Sequence, residues 1–122
     1  MSNGPRDLKV WQEAVALAGD VTRAVHACSR RETRQLTDRI LHLAVDVAAR
    51  IAEGYERPAQ PERMQLYRQA RASLAVLETL LAVARHAGII PAPALAQLGG
   101  RSATVGRLLA SYLTLADRAE SA

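Results

Sequence analysis

The sequence predicts an all-α protein, an antiparallel up-down-up-down four-helix bundle, and three observations carry that prediction. Strand chemistry is nearly absent: the 122 residues include no Phe, one Trp and three Tyr, and the apolar residues are mostly Ala, Leu and Val. Ala, Leu, Arg, Glu and Gln dominate, and these lose little side-chain freedom in a helix. Four long segments carry apolar residues at alternating spacings of three and four, the signature of one buried helical stripe. Short polar or Pro/Gly-bearing breaks separate them, and helices joined in this way bury their stripes most simply against one another.

The first periodic segment covers residues 8–28, with Leu8, Trp11, Val15, Ala18, Thr22 and Val25 on one stripe and Asp7 as the expected N-cap. The polar run from Ser29 to Gln35 reads as a connection with room for a helical turn. The second helix is expected over 37–55. Leu36, Ile40, Leu43, Ala44, Val47, Ile51 and Gly54 share its broad face, and Ala44, Ala48 and Ala52 form a ridge narrow enough for a neighbouring helix to approach. Gly54 reads as a strain-relieving residue near the C-terminus, and Pro58 as the stop.

The third helix is expected over 61–87. Pro61 suits a first helical position because its missing N–H would have no intrahelical partner there. Tyr67, Ala70, Leu74, Leu77, Leu81 and Ala84 repeat the spacing over roughly 40 Å, and Gly88 followed by Pro91 ends it. The fourth is expected over 92–119, with Leu95, Leu98, Ser102, Val105, Leu109, Tyr112 and Ala116 on its seam. Gly99-Gly100 interrupts that seam at about 1 kcal/mol per glycine relative to Ala, so either the helix starts after Gly100 or the pair allows close packing or a kink; of these a continuous but locally weak helix is the preferred reading. The 3-4 seams suit crossing angles of about +20°.

The one cysteine, Cys28, leaves no intrachain disulfide framework and no cysteine-based metal site, and reads as a small apolar residue of the first helix. The opening Met-Ser-Asn-Gly-Pro-Arg-Asp has no apolar run of signal-peptide type, and no stretch reaches the length of a membrane span. A cytoplasmic protein without membrane contact is therefore expected.

Catalytic patterning is weak. His26, His42 and His86 lie on three different predicted helices, with no metal-ligand spacing among them. Gly99-Gly100 lacks the strand and the Lys-Ser/Thr of a phosphate loop, and Ser73 has no base nearby in sequence. No catalytic residue, metal, cofactor or small-molecule substrate is expected. Three residues stand out as structural. Trp11 lies on the first seam, where an indole contributes packing. Glu53 sits among apolar neighbours and needs a cationic partner if buried, and Arg71, between two alanines in the third helix, is the expected one.

The formal net charge is +4, and fifteen of the sixteen basic residues are Arg, Lys9 being the exception. Arginine offers a bidentate fork to phosphate, although a GC-rich coding sequence also explains its predominance. Between Arg30 and Arg71 there are nine arginines against six acids. Arg30, Arg31 and Arg34 cluster in the first connection, Arg57 and Arg63 flank the second, and Arg50 and Arg68 lie on the helices beside it. These seven are the candidate contacts for RNA or DNA. On one copy they make a weakly basic surface; repeated around an axis they would add to a stronger field.

Three motifs carry a resemblance over about residues 7–90: Asp7-Leu8-Lys9-Val10-Trp11-Gln12, Ile51-Ala52-Glu53-Gly54 and Ser73-Leu74-Ala75-Val76-Leu77-Glu78. Together, in this order, the chain resembles the four helix bundle protein family, which includes the proteins encoded within intervening sequences of bacterial large ribosomal RNA. The resemblance implies an antiparallel bundle assembling as a homopentameric ring. It also implies similarity to the accessory proteins of diversity-generating retroelements, which bind nucleic acid through a basic surface. It implies no catalytic residues. The chain departs from the family pattern where a proline is commonly found (Ala48), where an asparagine is (Arg50), at a usual basic pair (Leu41-His42) and at a usual glycine (Ala72). Losing the proline straightens and strengthens the second helix, and losing the basic pair removes charge.

Two functions follow: a homo-oligomeric bundle binding nucleic acid non-specifically through Arg-rich loops and helix ends, or a protein-interaction scaffold without nucleic acid. The scaffold would use an apolar stripe such as Leu108 and Leu115 on the fourth helix.

Overall fold

The computed structural model describes residues 4–121, in which the chain forms four α-helices and no strand. They are α1 (Lys9–Cys28), α2 (Arg34–Glu56), α3 (Gln60–His86) and α4 (Ala92–Ser121), with short 3-10 turns at Gly4–Asp7 and Arg31–Thr33. Met1 to Asn3 and Ala122 lie outside the described residues. The N-cap of α1 is Leu8, whose carbonyl accepts from the Gln12 amide, while Asp7 ends the preceding turn. The Gln12 side chain reaches back to the Arg6 carbonyl at 2.7 Å and ties that turn to α1. The helix therefore begins one residue later than the sequence suggests.

α2 begins at Arg34 rather than Thr37, because the Arg31–Thr33 turn feeds directly into it. Thr37 is fully buried, its hydroxyl bonded to backbone carbonyls of the preceding turn and 3.1 Å from that of Ser29. Pro61 lies in the first turn of α3, as its missing donor requires. Gly88, with φ +70°, closes that helix, and its amide donates to the Arg85 carbonyl. α4 runs unbroken through Gly99-Gly100.

Each helix packs against two neighbours: α1 on α2 and α4, α3 on α2 and α4. The result is a four-helix bundle of square section, with α1 diagonal to α3 and α2 diagonal to α4. Its axis is filled by Leu17, Ile40, Ile51, Leu77, Leu98 and Leu109, all fully buried. Burial of each such side chain favours folding by about 1.5–3 kcal/mol. Trp11 is partly buried and packs on the edge of this core. Contacts between α2 and α3 and between α3 and α4 run in opposite sequence order. Asp46 meets Ser73 and Gly54 meets Tyr67 between α2 and α3; Tyr67 meets Tyr112 and Glu78 meets Ser102 between α3 and α4.

Gly54 corrects a sequence expectation. It is buried within α2 and has no positive φ. A Cβ there would lie 2.6 Å from Cε1 of Tyr67 and 3.2 Å from the Arg63 carbonyl oxygen. The glycine is present to let α3 approach. Glu53 beside it is also unlike the expectation: its side chain is 48% exposed, and its ion-pair partner is Arg50 at 3.9 Å on its own helix, not Arg71. Position 53 turns outward where Gly54 turns inward, so the carboxylate meets water and needs no buried cation.

Gly54→Ala is expected to force α2 and α3 apart and to cost about 1–3 kcal/mol of stability. The loss should shrink in a Tyr67→Leu background, where the clashing ring is gone. Thermal melts of the four proteins of that cycle measure it.

Candidate nucleic-acid interface

The seven candidate arginines fall at two ends of the bundle, roughly 34 Å apart along α2. Arg30, Arg31 and Arg34 lie at the end where α1 passes into α2. The α3–α4 connection lies at the same end, because Ala27, Cys28, Ser29, Arg30 and Thr33 share a 510 Å³ pocket with Gly88, Ile89 and Pro91. That brings in Arg85, in the last turn of α3, and Arg39 lies just inside α2. Arg31, Arg34, Arg39 and Arg85 are exposed and form no ion pair among the described residues; Arg30 is bonded through its backbone alone. Glu32 and Asp38 are the acids nearby in sequence, so five arginines stand against two carboxylates, with His26 and His86 also exposed here.

The other end differs. Arg63 donates from Nε and Nη2 to the Arg57 carbonyl, at 3.2 and 2.9 Å, and so clamps the α2–α3 connection. Arg68 pairs with Asp117 of α4 at 3.5 Å, and Arg50 with Asp46 at 3.5 Å as well as Glu53. Glu53, Glu56, Glu62 and Asp117 offset Arg57, Arg63 and Arg68. Arg50, Arg63 and Arg68 are thus structural cations and Arg57 sits among acids, while Arg71 is exposed without a carboxylate partner. Sequence reasoning missed Arg85, although the Gly88 stop signal already placed it at a helix end. The up-down-up-down order expected from the sequence already places the first and third connections at one end.

The strongest charge network lies elsewhere, between α1 and α4. Arg101 donates from Nε to Asp20 at 2.7 Å and from Nη1 to Glu13 at 2.9 Å. Asp20 is 6% exposed and is also paired with Arg23; Glu13 is paired with Lys9 at 3.2 Å. Hydrogen bonding from Lys9, with help from Arg101, holds the Glu13 carboxyl below its ordinary range against the opposing effect of desolvation. Asp20 in turn raises the guanidinium of Arg101 above its ordinary range. Burial pushes the phenol of Tyr67 up. Ser102, fully buried on α4, donates at 2.8 Å to Glu78 of α3. The Arg101 pairs join α1 to α4, and the Ser102 bond joins α4 to α3. Among the described residues, no group of three or more His, Cys, Asp or Glu is placed to hold a metal ion, and no helix is long and apolar enough to cross a membrane.

Architecture and charge thus define an α-helical bundle with one arginine-rich end. Residues 6–111 match the family model described as 23S rRNA-intervening sequence protein, and the chain belongs to that family. No curated protein matches the chain.

Glu13 has a depressed pKa in the folded chain, so its contribution to stability is complete above the ordinary glutamate range, near pH 4.3, and is lost as pH falls below it. Glu13→Gln should therefore melt below the parent at about pH 6, and the difference should narrow as pH falls below the ordinary glutamate range. Melting curves across that interval test the linkage.

Proposed function

We propose that this protein is a non-catalytic, antiparallel up-down-up-down bundle that works as a ring-shaped homo-oligomer, a pentamer on the family resemblance, and binds RNA or DNA non-specifically through phosphate. The opposite running order of contacts between neighbouring helices supports the antiparallel arrangement. The observation that carries the binding reading is the sorting of arginines. Those at the end formed by the first and third connections are exposed and unpaired, whereas Arg50, Arg63 and Arg68 are held by carboxylates or backbone. An arginine already in an ion pair must give up that partner to reach phosphate; an unpaired one gives up only water and counterions. The phosphate-binding set is therefore Arg30, Arg31 and Arg34 together with Arg39 and Arg85. In a ring, that end repeats once per subunit and the fields of the copies add. No base-reading geometry is involved, so the same surface serves any sequence.

A second reading, a protein-interaction scaffold, is favoured by Leu115, which is 61% exposed on α4 beside the partly buried Leu108. A partner that stays bound through nuclease treatment and high salt would support it; loss of every partner under those conditions would count against it.

Retention of single-stranded RNA or DNA should fall steeply as salt rises, with a slope of about 0.7 in log–log terms per phosphate contacted. Arg31→Ala/Arg34→Ala/Arg85→Ala should reduce both affinity and slope. Arg57→Ala/Arg68→Ala should leave the slope near that of the parent. Fluorescence anisotropy at several salt concentrations measures all three, and binding that is absent at low salt or indifferent to salt rules the phosphate mechanism out.

A further inference from the structure

A groove of 570 Å³ lies on the outside of the bundle, where the second half of α3 runs beside the first turns of α4. Its floor is apolar and includes Leu81, Leu95, Ala96 and Gly99. A Cβ at Gly99 would touch nothing within 4 Å. No contact inside the chain requires that glycine, although it weakens the helix by about 1 kcal/mol relative to Ala; what it preserves is the open space of the groove. Sites for small molecules have volumes of roughly 300–1,000 Å³ and join an apolar lining to a few placed polar groups. This groove has both properties.

The polar groups are Glu78 and Arg85, which share its wall. They lie seven residues apart on α3, about two turns or 10 Å of rise, and so return to the same side of the helix. At that spacing they form no ion pair with each other among the described residues. Glu78 is held in place: the hydroxyl of fully buried Ser102 donates to its Oε2 at 2.8 Å. Its other oxygen is left to accept from a further donor. Arg85 is exposed and has no carboxylate partner. The groove therefore carries a fixed negative charge toward one end, an unpaired positive charge toward the other, and apolar surface between them.

That pattern selects among ligands. A dianion would meet Glu78, and a polyamine would meet Arg85, as a like charge. A wholly apolar molecule would desolvate both charges and pair neither. We propose that the α3/α4 groove binds a small dipolar amphiphile, an apolar body about 10 Å long with a carboxylate at one end and an ammonium at the other. The carboxylate takes the guanidinium fork of Arg85, the ammonium donates to Glu78, and the body covers Leu81, Leu95 and Gly99. Arg85 is the one residue this site shares with the phosphate-binding set.

Three probes test it by calorimetric or ligand-observed NMR titration at low salt: 8-aminooctanoic acid, which is long enough to reach both charges, octanoic acid, which lacks the ammonium, and 4-aminobutanoic acid, which is too short. The parent should bind the first about threefold or more tighter than either of the others. Glu78→Gln keeps an acceptor for Ser102 and should bind the two eight-carbon acids alike, whereas Arg85→Ala should weaken both. Gly99→Leu fills the groove and should abolish uptake, with helical content unchanged by circular dichroism because position 99 is exposed. Should that substitution lower the helical content, Ala96→Leu probes the same floor. A parent that takes up no probe, as a groove covered by a second copy would leave it, overturns the assignment. So does a parent indifferent to the ammonium, or a filled groove that binds like the open one. The titrations contain no nucleic acid, so their outcome is separate from phosphate binding at the end of the bundle.

Discussion

The spacing of the bundle depends on one close approach, that of α2 to α3 at Gly54. Because position 54 has no Cβ, the Tyr67 ring lies against the α2 backbone, and the same ring stands 6.1 Å, centroid to centroid, from Tyr112 of α4. One aromatic residue thus spans three helices near the end where Arg57 and Arg63 sit. Polar cross-links then fix the register along the length: Ser73 to Asp46, Ser102 to Glu78, and Arg101 to Asp20. Apolar burial supplies most of the driving force but has little directional preference. Buried polar pairs must find their partners or leave a costly unsatisfied group, so they penalise alternative alignments.

That register sorts the charges. An arginine one turn from an acid on its own helix, or opposite one on the next helix, becomes part of the frame, as Arg50, Arg68 and Arg101 do. Arg34, Arg39 and Arg85, at the ends of α2 and α3 near the first and third connections, form no ion pair among the described residues, Arg34 included although Asp38 lies one turn away. The uneven field along the bundle is a consequence of helix length and connection order rather than of total charge, which is modest. A phosphate ligand would meet a prepared surface at one end and a nearly neutral one at the other.

The same geometry leaves apolar side chains on the outside of the bundle. A helix in a square bundle buries one seam and exposes the rest. In α1, α2 and α3 the exposed side includes valine (Val15, Val45, Val76 and Val83), and in α4 it includes Leu115.

The alternation of three and four along Leu74, Leu77, Leu81 and Ala84, and its counterparts elsewhere, was enough to mark four helices and their stops, because seam period and Pro/Gly punctuation are local properties. The continuity of α4 through Gly99-Gly100 was left open by the sequence, and the structure decided it. Glu53 and Arg71 were not: both sit among apolar neighbours in sequence, and only the direction of each side chain puts Glu53 in water beside Arg50. Asp20 and Arg101, 81 positions apart, gave no local sign of meeting. By itself, then, the sequence determined the helices, the seams of α2, α3 and α4, and the family; on α1 the buried stripe is Val10, Ala14, Leu17, Val21 and Val25, while the expected Val15 and Thr22 are exposed. The tertiary structure decided which arginines stay unpaired, which glycine exists for close packing, and which faces remain uncovered, because each of those depends on what lies across a helix interface rather than along the chain.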